Sequence, residues 1–79
     1  MVKIHFDKIT ESWQKNLVDE YQVLDERIVK LTTALDNEGV EEKVGGKEYK
    51  LLTSQLKVMN EYETILEERL IDLGLATKE

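Results

Sequence analysis

Along the first half of the chain the apolar residues Leu17, Tyr21, Leu24, Ile28, Leu31 and Leu35 recur at spacings of four, three, four, three and four, with Trp13 one turn ahead. This is a heptad stripe with apolar a and d positions, and it predicts a helix over about residues 8–37. Neither glycine nor proline occurs before Gly39 to interrupt it. Asp36-Asn37-Glu38-Gly39 supplies the stop, with Gly39 expected as a left-handed C-cap. Residues 40–44 are long enough for one helical turn, and Gly45-Gly46 makes a second break, so the connection runs over about 38–46. A second helix follows over about residues 47–73, with Gly74 as its cap. Two long helices joined by so short a connection pack antiparallel.

The second helix carries two apolar stripes. One runs through Leu52, Leu56, Met59, either Tyr62 or Glu63, Leu66, Leu70 and Leu73; the other, offset by one position, is Leu51, Val58 and Ile65, spaced by sevens. A helix with one neighbour needs only the first. The second would leave a contiguous apolar patch on a monomer, which marks an interface unless the connection or the amino-terminal arm covers it. The expected fold is therefore all-α: an antiparallel two-helix hairpin that assembles into a homo-oligomeric helical bundle. Residues 1–7 form an arm ahead of the hairpin domain of residues 8–79. In the arm Val2, Ile4 and Phe6 alternate with Lys3 and His5, the period of a short strand. With no ladder partner evident in the chain, such a strand would pair with another subunit. The alternative is a frayed leader whose Phe6 and Ile9 rest on the helix.

Size sharpens the case for assembly. A 79-residue chain buries only roughly 60–65% of the surface its unfolded form exposes. It has no cysteine, so neither a disulfide nor a thiolate metal site can staple it. That composition suits a reducing cytoplasm. No apolar run approaches the ~18 residues of a membrane span, and residues 1–6 are too short and polar for a signal peptide. The expectation is a soluble protein of the cytoplasm that engages no membrane. The net charge of −6, from 17 acidic and 11 basic residues, argues against binding duplex nucleic acid, which needs a broad basic face. A small anion held by a few arginines or lysines remains compatible with it.

Catalytic patterns are absent from the sequence. The single histidine, His5, lies in the arm, expected to be mobile, so His-centred acid–base or nucleophilic chemistry lacks its usual parts. Gly45-Gly46-Lys47-Glu48 lacks the spacing and the Ser or Thr of a phosphate loop, and Asp36-Asn37-Glu38-Gly39 opens no calcium-loop frame. Glu41-Glu42 and Glu67-Glu68 read as solvated faces. The expectation is a non-enzyme with no cofactor and no metal.

Three features suit binding. Tyr21 is either an ordinary core tyrosine with its hydroxyl at the surface or a π face for a nucleobase. Arg27 and Lys30 lie one turn apart and can converge on one anion, unless Lys30 is spent on a helical pair with Glu26. Arg69, among acidic residues near the end of the second helix, either stabilises that helix end or holds a phosphate across a subunit interface.

The pattern Asp19-Glu20-Tyr21-x-x-Leu24-x-x-Arg27-Ile28-x-Lys30-Leu31, followed by Leu51-Leu52-x-x-Gln55-Leu56-x-x-Met59-x-x-Tyr62-x-x-Ile65-Leu66-x-x-Arg69-Leu70, resembles the small phage proteins that share the anti-CBASS/anti-Thoeris hairpin domain. The resemblance covers roughly residues 17–73, and its Gln, Met, Tyr and Arg positions are the discriminating ones. It implies a phage anti-defence sponge, acting in the cytoplasm of an infected bacterium. Such a sponge is a homo-oligomer, typically a hexamer. It binds and sequesters cyclic oligonucleotide immune second messengers (cyclic di- or trinucleotides) without cleaving them, and so blocks effector activation. It also implies that Tyr21 stacks on a base and that Arg69 contacts the ligand. The family places a basic residue near the end of the first helix, where this chain reads Asp36-Asn37; either Lys30 or Lys43 substitutes, or that site is altered. The competing reading is a self-assembling structural or adaptor protein that docks a protein partner through Leu51, Val58 and Ile65.

Overall fold

A computed structural model describes residues 1–79. The chain runs β1 (Val2–Ile4), a 3-10 turn (Phe6–Lys8), α1 (Ser12–Asp36), α2 (Val40–Val44), α3 (Gly46–Asp72) and β2 (Ala76–Lys78). α1 and α3 form the antiparallel hairpin, a rod of 47 × 19 × 17 Å. A rod only two helices thick buries one stripe of each helix and leaves the flanking stripes to solvent.

The first helix starts at Ser12 rather than near residue 8. Phe6–Lys8 closes a 3-10 turn and Ile9 is extended. The Gln14 side-chain oxygen then accepts from the backbone N–H of Thr10 (2.9 Å) and of Glu11 (3.1 Å), satisfying donors that no helical turn precedes. Gly39 is left-handed, as expected, at φ 81°, but it opens α2 instead of capping α1, whose C-cap is Asn37. Gly45, at φ 93°, makes the break between α2 and α3. α3 ends on a Schellman motif about left-handed Gly74 (φ 74°): Gly74 N–H donates to the Ile71 carbonyl and Leu75 N–H to the Leu70 carbonyl. Leu70 and Leu75, both fully buried, make the apolar contact of that motif.

That cap turns the chain back into β2, which the residue pattern did not disclose. β2 pairs antiparallel with β1 in the register Val2↔Lys78, Lys3↔Thr77, Ile4↔Ala76. The strand at residues 2–4 thus has its ladder partner within its own chain, correcting the expectation that it needs another subunit. Nor is the arm a mobile leader. His5 N–H donates to the Leu75 carbonyl at 2.8 Å, and the His5 Nε2 lies 3.1 Å from the Thr77 Oγ1.

The core is Val2, Leu17, Val18, Tyr21, Leu24, Ile28, Leu66, Leu70, Leu75 and Ala76, gathered at the end of the rod that the small sheet closes. Toward α2 the same seam thins: Leu31, Leu35, Leu52, Leu56 and Met59 are only half-buried. The seam residue of α3 between Met59 and Leu66 is Glu63, while Tyr62 is turned outward. No helix is long and apolar enough to cross a membrane.

Candidate functional site

The hairpin has two unlike flanks. On α1, the positions one residue before the seam are Asn16, Glu20, Val23, Arg27, Lys30 and Ala34; on α3 they are Leu51, Gln55, Val58, Tyr62, Ile65 and Arg69. A step of one residue turns 100° about a helix axis, and in antiparallel helices the two turns run in opposite senses. Both stripes therefore emerge on the same side. Tyr62 indeed meets Glu20, Val23, Leu24 and Arg27 in a groove of about 260 Å³.

This flank carries apolar and cationic side chains together. Val23, Leu51, Val58, Tyr62 and Ile65 on it are 40–61% exposed. Neither the connection nor the arm covers Leu51, Val58 or Ile65. Arg27, Lys30 and Arg69 are exposed beside them. The ion pairs of the structure are Lys15–Asp19 (3.1 Å) and the Met1 ammonium with Glu67 (3.8 Å), so these three cations have no carboxylate partner. The helical pair of Glu26 with Lys30 does not form. Three cations stand on this flank with Glu20 near its middle and Glu48 and Asp72 at the two ends of α3, so charge is balanced on a stripe of a chain whose net charge is −6.

Tyr21 lies elsewhere. Its ring is in the core at 6% exposure, and its hydroxyl donates to Glu67 Oε2 at 2.8 Å. Burial, then the hydrogen bond to Glu67 and the charges of Glu67, Glu63 and Asp25, raise its pKa far above that of a free phenol, so the donated proton stays in place. Glu67 is thereby tied into the fold, which corrects its reading as a solvated carboxylate; Glu68, Glu41 and Glu42 are exposed as expected. The edge of Tyr21 borders a groove of about 410 Å³ lined by Met1, Val2, Ile4, Gln22, Asp25 and Glu26. Although larger, that groove presents carboxylates to any phosphate that enters it.

The structure thus brings Arg27, Lys30 and Arg69 to one face and sets Tyr21 apart from them. The exposed aromatic of that face is Tyr62. Its signal was present in the sequence: Tyr62 shares the offset heptad of Leu51, Val58, Ile65 and Arg69. Lys43, offered as a substitute for the basic residue missing at Asp36, sits instead in a loop-end cavity with Asn37, Glu38 and Gly39. No group of three or more His, Asp or Glu side chains is placed to hold a metal ion.

A family model described as Sequestin matches residues 11–72, which spans both long helices and this face. No curated protein and no solved structure gives a significant match.

Proposed function

The chain belongs to the Sequestin family, whose name points to sequestration of a ligand, and on that premise we propose that it is a phage-encoded sponge for cyclic oligonucleotide second messengers. It assembles with copies of itself, holds the messenger intact, and keeps host effectors from being switched on. The observation that carries this reading is the single exposed face on which unpaired Arg27, Lys30 and Arg69 stand beside Tyr62 and the apolar Leu51, Val58 and Ile65.

Each part of that face has a counterpart in such a ligand. Guanidinium and ammonium groups meet the phosphates, in contacts of about 1.5–3 kcal/mol each. An exposed ring stacks on a base for roughly 1–3 kcal/mol. A groove of about 260 Å³ lies below the ~300–1,000 Å³ of typical ligand pockets, so one protomer receives a base and not a whole cyclic dinucleotide. Apposing two copies through Leu51, Val58 and Ile65 brings two such grooves together and supplies the enclosure that one rod lacks. On this reading Tyr62 is the stacking ring, while Tyr21 supports the seam behind it.

Isothermal titration with cyclic di- and trinucleotides tests the proposal. Binding with Kd near nanomolar is expected, equivalent to about −12 kcal/mol. Arg27→Ala and Tyr62→Ala should each weaken it by at least tenfold. Ligand extracted after incubation should be chemically unchanged. Flat titrations across the panel, with no thermal stabilisation, would sink the sponge reading. They would leave the exposed stripe to a protein partner.

A further inference from the structure

The seam of the hairpin holds a group that the proposed sponge does not use. Glu63 occupies a seam position of α3, and its Oε2 is buried with no hydrogen-bond partner. The antiparallel register says what faces it. Tyr21 of α1 bonds Glu67 of α3, and moving four residues up α1 while moving four down α3 brings Asp25 opposite Glu63, one helical turn away on the same side. Two carboxyl groups thus meet across the seam, and a carboxylate offers only acceptors. An orphaned acceptor beside another acceptor is satisfied when a proton lies between them.

We propose that Asp25 and Glu63 share one proton across the seam, so that the α1–α3 contact is a clasp that closes at and below neutral pH and loosens in mild alkali. The surrounding groups agree with this assignment. From α1, Tyr21 gives its hydroxyl to Glu67 and not to Glu63. From α3, Glu67 adds a further negative charge one turn along. From the arm, the Met1 ammonium sits 3.8 Å from Glu67 and pairs with that carboxylate, while Lys78 of β2 lines the neighbouring groove together with Glu68 and Glu79. Burial first, then the neighbouring Asp25 carboxyl and the charge of Glu67, raise the Glu63 carboxyl from 4.5 to about 7, against a smaller lowering by the amino terminus.

The sign of the effect follows. A carboxyl that binds its proton more tightly folded than unfolded gives stability that is complete below pH 4.5 and is lost as pH rises through about 7. Carbon-13 NMR of the side-chain carboxyls of the native chain, followed from pH 4 to 9, reads this directly. Glu63 should titrate near pH 7. A Glu63 signal that titrates among the ordinary glutamates overturns the proposal, whatever any variant does. In thermal melts the native protein should lose several degrees between pH 5.5 and 8.5. Glu63→Gln, whose amide donates permanently to Asp25, should melt at nearly the same temperature at both. A Glu63→Gln protein that keeps the native slope would equally refute the shared proton.

Discussion

Tyr21→Phe removes one atom from the centre of the hairpin and tests whether that hydroxyl ties the two helices together. The ring stays where it is, 6% exposed among Leu17, Leu24, Leu66 and Leu70 of the core cluster, so no cavity opens. What is lost is a 2.8 Å hydrogen bond to the Glu67 carboxylate. Bonds to charged acceptors contribute about 1.5–3 kcal/mol. The Glu67 side chain is 20% exposed, so water reaches the abandoned oxygen and trims the loss to about 1–2 kcal/mol. A domain of this size holds about 4–12 kcal/mol, so the variant folds, and its Tm should fall by about 5–15 °C. Tyr21→Ala, which also deletes the ring, should cost about 3–5 kcal/mol and leave little stability. Urea unfolding at one fixed protein concentration is the suitable assay, because any self-association would add stability that depends on concentration. The midpoint should drop with no change in the slope m. A Tyr21→Phe midpoint within error of the native one refutes the tie. Unchanged stability together with lost nucleotide binding would instead make the hydroxyl a ligand contact.

Two further outcomes follow from the same geometry. Replacing Leu51, Val58 and Ile65 together by serine should yield monomers in sedimentation velocity while the helical circular dichroism persists, since these side chains are already 54–61% exposed in the single hairpin. Gly74→Ala should destabilise by about 1–2 kcal/mol in urea melts through the left-handed φ of 74° alone, because an added Cβ there meets nothing within 4 Å.

The two long helices, their antiparallel packing and the stretch that ends α3 were legible because each rests on a local signal: a heptad period, a glycine break, a short connection. The exposed offset stripe was legible for the same reason, since Leu51, Val58 and Ile65 lie one position off the seam whatever the seam packs against. The start of α1 was not. Ile9 and Trp13 fit the helical period, and only the 3-10 turn and the Gln14 cap, set by where β1 must run, place the boundary at Ser12. β2 was illegible for a stronger reason: Ala76-Thr77-Lys78 has no alternation of its own and becomes a strand by pairing with residues more than seventy positions away.

The candidate site divides along the same line. Sequence alone determined which residues are cationic, aromatic or apolar, and helical period determined which of them share a stripe within one helix. Only the tertiary structure decided which stripe of α1 lies beside which stripe of α3. That pairing put Arg27 next to Tyr62, turned Tyr21 inward onto Glu67, and set Asp25 against Glu63. A helix's own period carries no information about the register and hand of its neighbour. These are settled by the packing of the buried seam, by the left-handed glycines that set how the chain turns, and by the small sheet that closes the end of the rod.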